Sequence, residues 1–374
     1  MPDLSLIMLG AGNSSRFEHI VKKQWLRFGE IPLWLYSTNN ITEKLKFDKV
    51  IIAGHKEELS YMKRFDDSHI FVEGGDSRQE SLKNALAYVD TPYVLVSDIA
   101  RICISEDMLQ RINSQKGKSD IIVPYLEVSD TVVYDDTTID REKVKLIQTP
   151  QLSKTKILRS ALNTDKTYTD DSSAIKAVGG TVLFVKGENK AKKLTRISDL
   201  SDIMCKNAPS KNIFVGNGFD VHEFENAKPM MLGGIKVCDD LGFKAHSDGD
   251  VAIHALIDSI LGAIGAGDIG ELFPDDDAKF KNIDSKELLK RVYKFITNVG
   301  FEIINCDITI MAQTPKIGDL KKEMAKTIAK ILNVKTICIN VKATTTEKLG
   351  FIGRKEGVAV NATSTLKYID WTTI

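Results

Sequence analysis

The chain has 374 residues, 43% hydrophobic and 27% charged. At about 100–200 residues per domain, that length calls for two domains, each large enough for a core of its own. Lys and Arg total 51, as do Asp and Glu, so the zero net charge excludes the basic excess of a non-specific nucleic-acid or anionic-membrane binder. No apolar run approaches the roughly 20 residues of a membrane-spanning helix, and the first residues lack the basic segment of a signal peptide. The five cysteines are scattered and never form CxxC. The expectation is a cytoplasmic protein with reduced thiols.

The first half alternates short apolar runs with longer stretches of helical spacing. Runs at 4–9, 50–53, 69–72 and 93–96 each end in a Gly or polar cluster, and residues 79–89 have helical spacing. This β-then-α alternation predicts a mostly parallel sheet with helices on both faces, whose ligands sit beyond the carboxyl ends of the strands. After the first run comes LGAGNSSRF, in which the small residues Ala11 and Gly12 let backbone N–H groups approach an anion. Arg16 and Lys23 follow at one loop-plus-helix distance, as a triphosphate under attack requires. A glycine turn with surface cations explains the same residues. There is no GxxxxGK[ST] and no GxGxxG, which disfavours a Walker loop and a dinucleotide dehydrogenase. Gly75 and Ser81 fall in or after a second glycine cluster. Asp98 and Arg101 follow the 93–96 run, where either a metal-associated carboxylate with an anion-binding guanidinium or a surface ion pair is expected. Arg141 and Thr149 form a further polar group, and Asp170 reads as a helix cap.

Residues 207–212, NAPSKN, read as a linker between domains at 1–206 and 213–374. A strand starts at 213–215; if it continues, Asp220 and His222 share a face. The stretch 250–264 is apolar on most faces and predicts a buried helix, while 321–332 predicts an amphipathic one. His254 lies in the buried helix with Asp258 one turn later, placed to orient a ring nitrogen. Two imidazoles and one carboxylate leave an open coordination position, the pattern of a catalytic Zn²⁺ site that Mn²⁺ also suits. His246 and Ser247 stand at the helix start, where a phosphate is attracted. Asp268, Gly270, Phe273, Asp275 and Asp277 form an acidic loop suited to sugar hydroxyls, or simply a solvated turn. Thr344, Thr345 and Glu347 offer hydroxyls and a carboxylate for a second metal, or an ordinary strand edge.

The strings AGNSSRF, KKQWL, GGDSRQES, SDIAR, IDREKVKLIQTPQ, TDDSSA and KKLT, in that order over about 4–206, resemble the cytidylyltransferases of the non-mevalonate isoprenoid pathway. Those enzymes use CTP and 2-C-methyl-D-erythritol 4-phosphate. The resemblance implies transition-state cations at Arg16 and Lys23. It implies groups that position the methylerythritol phosphate at Arg141 and Lys193, nucleotide contacts around Ala11, Gly12, Gly75 and Ser81, and an acidic residue near Mg²⁺ at Asp98. Ser14 and Ser97 stand where that family often has Gly and His.

The strings GNGFDVH, AHSDGDVAIHALIDSILGAIGAGDIGELFPD, DITIMAQTPK and NVKATTTEKLGFIGRKEG resemble the 2-C-methyl-D-erythritol 2,4-cyclodiphosphate synthases. This second resemblance implies a metal on Asp220, His222 and His254, transition-state stabilisation by His246 and Thr345, and a Mg²⁺-like ion near Glu347. It also implies a cytidine pocket at Ala312, Thr314, Pro315 and Lys316, with Phe351 and Arg354 completing the site. The synthases form trimers with sites between subunits and the transferases form dimers, so a homo-oligomer, such as a hexamer, is implied. The expectation is a bifunctional α/β enzyme with a Rossmann-like first domain and an α+β second one. A separate kinase would act between its two reactions and would be a possible partner. A catalytically degenerate first half that only scaffolds the second, or a metal-dependent phosphohydrolase in the second, are the competing readings.

Overall fold

The structure is a computed structural model that describes residues 2–203, 207–245, 247–274 and 283–373. His246, Asp275 and Asp277 lie outside the described residues. The chain divides into two compact units, Met1–Ala208 and Pro209–Ile374.

The first unit is built on an eight-stranded sheet. Its centre is Tyr93–Asp98, Leu4–Leu9, Val50–Gly54 and Ile70–Glu73, side by side and all parallel. These are the four runs read from the sequence. All six residues of Leu4–Leu9 are buried, as expected of a strand covered on both faces. Beyond Tyr93–Asp98 the sheet turns antiparallel through Gln151–Lys154 and Ile121–Glu127 to the short edge strand Lys145–Ile147, with Val182–Lys186 pairing parallel to Ile121–Glu127. The helix Arg78–Leu86, capped by Ser77, lays Leu82, Ala85 and Leu86 onto a core with Ile7, Ile51, Val94 and Val96. The small hairpin of Val132–Tyr134 and Thr137–Ile139 projects from the sheet with Val133, Tyr134 and Ile139 exposed.

The second unit has a five-stranded sheet in the order Leu241–Phe243, Ile213–Asn226, Gly357–Tyr368, Phe301–Met311, Ile339–Thr344. All pairs are antiparallel except the last, which is parallel. The helices Val251–Ala263, Ser285–Asn298 and Lys321–Ile331 cover one face. Val251–Ala263 is buried on nearly every side, as its composition predicts. It packs so closely on Ile213–Asn226 that a Cβ on Gly218 would stand 2.0 Å from the Ala255 carbonyl oxygen.

The thiols depart from expectation at one place. Cys238, Cys306 and Cys338 are free, but Cys103 is disulfide-bonded. Spacing along a chain does not report which cysteines meet in space. No described helix is long and apolar enough to cross a membrane.

Candidate active sites

In the first unit, the loops after all four adjacent parallel strands converge on a cavity of about 480 Å³. The Gly10–Asn13 loop leaves Leu4–Leu9 and is pinned by Gly10 N–H to the Ala53 carbonyl at 2.8 Å. The second glycine cluster lies against it: a Cβ on Gly74 would sit 2.2 Å from that of Ala11. Gly75 N–H donates to the Ser81 hydroxyl at 3.0 Å. Ala11, Gly12, Arg16, Lys23, Gly75, Ser81, Asp98 and Lys193 all line this cavity.

Asp98 is the electrostatic centre. Lys193 Nζ stands 2.8 Å from one carboxylate oxygen and Arg78 Nε 3.4 Å from the other. Burial raises Asp98, but Arg78, Lys193 and Arg101 outweigh it and hold the carboxyl well below the usual range. Arg78 lines the cavity too and is fixed from behind by the buried Asp171, 2.6 Å from its Nη1. Arg78 and Asp171 stand in separate motifs of the sequence, GGDSRQES and TDDSSA, and their pairing spans 93 positions that no local pattern links. Burial first, and repulsion from Lys193 and Arg16 after it, lowers the Lys23 ammonium, with Asp98 opposing. The result is a cluster of cations around one carboxylate, facing glycine-loop N–H groups.

Three residues expected at the ligand, Arg101, Thr149 and Arg141, do not line this cavity. Arg101 is buried and spends its donors on the protein: Nε on Thr149 Oγ1 at 2.8 Å, Nη1 on the Ala191 carbonyl at 2.5 Å. With the backbone bridge between residues 101 and 193, it braces the segment that carries Lys193. Thr149 Oγ1 lies 3.4 Å from Asp98 Oδ2, also behind the cavity wall. Arg141 is exposed just past the projecting hairpin and donates to the Ser129 carbonyl at 2.6 Å; it does not reach this cavity within its own chain.

In the second unit, Asp220, His222 and His254 bring one ligand atom each within 4.8 Å of one another. Asp220 and His222 share the inward face of Ile213–Asn226, and His254 meets them from the helix Val251–Ala263. His222 Nδ1 is buried without a hydrogen-bond partner, 3.2 Å from Asp220 Oδ2; His254 Nδ1 lies 3.4 Å from the same oxygen. An orphaned imidazole nitrogen aimed at a carboxylate suits a divalent cation between them. Burial raises Asp220, but the two imidazoles outweigh it and hold the carboxyl well below its usual range.

The far nitrogen of His254 is held differently from the sequence expectation. Nε2 lies 2.9 Å from Ser285 Oγ and 3.3 Å from Ser247 Oγ. Ser285 Oγ in turn donates to Asp248 Oδ1. That donation leaves Ser285 to accept from Nε2–H, which turns the Nδ1 lone pair toward Asp220. Asp258 does not orient the ring; it accepts the Ile269 N–H at 2.8 Å and so ties the Asp268 loop to the helix. Asp268 itself caps the helix Ile269–Leu272, which contains Gly270, and Phe273 is buried directly after it.

A second group gathers at the carboxyl ends of the parallel pair Phe301–Met311 and Ile339–Thr344. Ala312 N–H donates to the Thr344 carbonyl at 3.0 Å, so the Ala312–Thr314–Pro315–Lys316 loop and the Thr344–Glu347 loop are neighbours. Thr345 Oγ1 donates to Glu347 Oε1 at 3.0 Å. Phe351 follows on the short helix Gly350–Gly353, and Arg354 forms an exposed two-pronged pair with Glu356. Register places this group away from the triad. Asp220 pairs with Val360, Val360 with Ile310 and Ile310 with Ala343, three strand spacings or about 14 Å.

An α/β unit with a glycine-loop cation pocket, joined in one chain to a unit with a His/His/Asp triad, defines a two-part enzyme acting on phosphorylated nucleotides. A model of the 2-C-methyl-D-erythritol 4-phosphate cytidylyltransferase family matches residues 4–204, and one of the YgbB family matches 213–367. The bifunctional enzyme IspD/IspF of Aliarcobacter butzleri is 55% identical over 371 residues, 99% of each chain. That of Campylobacter curvus is 56% identical over 372 residues, 100% of each. The solved structure of the bifunctional IspDF from Campylobacter jejuni matches with a TM-score of 0.87 at 52% identity, covering 99% of this chain and 100% of that one. The chain belongs to the bifunctional IspD/IspF family.

Proposed function

We propose that residues 1–206 transfer CMP from CTP to 2-C-methyl-D-erythritol 4-phosphate, and residues 213–374 cyclise the CDP-linked 2-phosphate to 2-C-methyl-D-erythritol 2,4-cyclodiphosphate. The cation cluster around Asp98 supports the first reading most strongly. In that reaction the 4-phosphate oxygen attacks the α-phosphorus of CTP in line, and the α–β bridging bond breaks with its electron pair leaving on pyrophosphate. Arg16 and Lys23 face the charge that accumulates, and the loop N–H groups at Ala11 and Gly12 hold the phosphates. Lys193, held by Asp98 and braced by Arg101, positions the methylerythritol phosphate. Gly75 and Ser81 border the nucleoside. Mg²⁺ bound with the triphosphate would supply further charge neutralisation there.

In the second reaction the 2-phosphate attacks the β-phosphorus and CMP leaves. Asp220, His222 and His254 would hold a divalent ion, Zn²⁺ or Mn²⁺, which supplies Lewis-acid polarisation of phosphoryl oxygens. The chain's own share is orientation. Ala312, Thr314, Pro315 and Lys316 receive cytidine, Thr345 and Glu347 the diphosphate with its Mg²⁺, and the Asp268–Phe273 loop the sugar. Ser247, at the start of the helix that carries His254, would receive the phosphate, and the family resemblance gives His246 the role of stabilising the transition state. The distance of about 14 Å between the triad and the Thr345 loop supports a site completed by a second copy. The exposed position of Arg141 supports the same for the first site. A homo-oligomer, a hexamer in the simplest closure of trimers and dimers, accommodates both.

Neither departure from the transferase pattern argues for a dead first domain. Ser14 accepts the Lys23 N–H, and Ser97 is buried in its strand. Pyrophosphate release from CTP and methylerythritol 4-phosphate, with cyclic diphosphate and CMP formed from the phosphorylated intermediate, tests the assignment. CTP binding without release overturns the first half, and a linear hydrolysed product overturns the second. The two reactions are not consecutive, so a separate kinase must act between them.

A further inference from the structure

We propose that Glu58 is the positioning residue that sets Lys23 against the glycine loop for cytidylyl transfer, an inference that rests on the role given to Lys23 above. Glu58 ends the turn Lys56–Glu58, which follows the strand Val50–Gly54, and is 2% exposed. Its carboxylate collects donors from three of four consecutive residues. Lys22 Nζ pairs with Oε1, while Trp25 Nε1 at 2.7 Å and Gln24 Nε2 at 3.2 Å donate to Oε2. Lys23 is the exception: it lies between these anchors, makes no ion pair among the described residues, and lines the cavity, where Lys22 is absent. Glu58 therefore sorts two adjacent lysines. It draws one charge into the protein wall and leaves the other to the ligand.

The anchor continues to the phosphate loop. Gln24 Nε2 also donates to the Gly12 carbonyl at 3.3 Å, and Gln24 Oε1 accepts from Ser14 Oγ at 3.0 Å. Ser14 Oγ in turn accepts the Lys23 N–H at 3.2 Å. Glu58, Gln24 and Ser14 thus close a circuit of hydrogen bonds around the Lys23 backbone. A lysine ammonium rides on a flexible four-carbon stem, and its reach toward a transition state depends on how firmly its backbone is fixed. Buried carboxylates are retained only when compensated. Here, among the described residues, the compensation comes from the segment that carries Lys23.

The experiment uses the full chain, in which cyclisation by the second unit reports intact protein in the same preparation, and near-UV dichroism of Trp25 reports the local fold. Glu58→Gln keeps an acceptor for Trp25 but removes the charge that holds Lys22. Ser14→Gly removes the hydroxyl at a position whose φ is 57°, which glycine adopts without strain. Glu58→Gln is expected to lower kcat for pyrophosphate release about 10- to 100-fold, the scale of a displacement of about 1 Å. KM for CTP should stay within about twofold, since Arg16 and the loop N–H groups that hold the phosphates are not themselves replaced and Gln24 keeps its own bond to the Gly12 carbonyl. Ser14→Gly should lower kcat about tenfold, and the double variant should fall by less than the product of the two, because both act through one segment.

Wild-type kcat in a folded Glu58→Gln protein overturns the proposal. So does a loss carried wholly by KM, or a loss that follows the unfolded fraction. Lys23→Ala separates this idea from the reading beneath it. If that variant turns over normally, the role of Lys23 falls and the proposal with it. If it is inactive while Glu58→Gln is normal, only the positioning role falls.

Discussion

Ser285→Ala tests how the triad is built. Ser285 Oγ lies 2.9 Å from His254 Nε2 and donates to Asp248, so it relays a carboxylate to the imidazole and fixes which nitrogen carries the proton. Loss of such an outer partner typically weakens metal binding 10- to 100-fold, about 1.4–2.8 kcal/mol. Ser247 Oγ, 3.3 Å from the same nitrogen, takes over part of the contact, so the expected loss is near tenfold. Stability should fall by only about 1 kcal/mol, because Asp248 keeps the Ser285 and Asp250 N–H groups at 3.1 and 3.2 Å. The assay is competition for Zn²⁺ and Mn²⁺ against a chromogenic chelator, on chain stripped of metal, with cyclisation measured at limiting and saturating ion. Cyclisation should be slow at limiting ion and recover at excess, and pyrophosphate release should not change. Asp258→Asn is the contrast, since Asp258 faces the Ile269 N–H and should leave metal affinity within about twofold. Unchanged affinity in folded Ser285→Ala, or a tenfold loss in Asp258→Asn, refutes the relay.

His222→Ala should abolish cyclisation and spare cytidylyl transfer, while Lys23→Ala should do the reverse; if either folded variant loses both activities, the two-site assignment is wrong. Gly218→Ala places a Cβ 2.0 Å from the Ala255 carbonyl oxygen and 2.7 Å from Ser259 N, so the helix must move; urea unfolding should show a loss of about 3 kcal/mol in the second unit. Burial pushes the Cys306 thiol up to about 11 against the opposing Ser364 hydroxyl. The unfolded thiol ionises near pH 8.5, so from there to about 11 the unfolded state loses its proton first, and stability falls by up to about 1.4 kcal/mol per pH unit. Cys306→Ala should remove that part of the slope between urea titrations at pH 8 and pH 10; an unaltered slope would show that the thiol contributes nothing. Given methylerythritol 4-phosphate, CTP and ATP, the purified chain should stop at the CDP-linked compound, and chromatography that finds cyclic diphosphate would place a kinase within it.

The strands of the first unit were legible because parallel strands buried on both faces read as unbroken apolar runs ended by glycine. The long strand of the second unit was legible only at 213–215, although it extends to Asn226. Its alternation is inverted. Ile213, Val215, Phe219 and Val221 are exposed, while the covered face carries Gly216, Gly218, Asp220 and His222. Between Phe214 and Phe224 on that face, the helix pressed close at 216 and 218 leaves room for glycines and ligands rather than large apolar side chains, so the apolar signal there sits on the wrong side for a pattern reading. Residue types at the sites were legible from short motifs. Partners were not, because they depend on distances across the fold: Arg101 turned inward to Thr149 and Ala191, Asp258 to Ile269, and Arg78 to Asp171.

The two sites meet the same electrostatic demand by opposite means. Both must gather phosphates, and an isolated anion cluster is costly outside water. The first unit surrounds its cavity with Arg16, Lys23, Arg78 and Lys193 against Asp98, a set that attracts a polyphosphate through the protein's own charge. Around the triad the order is reversed. Asp220 stands between two imidazoles, and the far side of His254 leads through Ser285 to Asp248. None of these partners is a lysine or arginine, so the set is anionic and would repel a diphosphate by itself. A divalent ion held there would convert it into a phosphate-binding site. Chelation should therefore remove diphosphate binding at the second site outright. At the first it should only weaken CTP, whose cationic cradle remains.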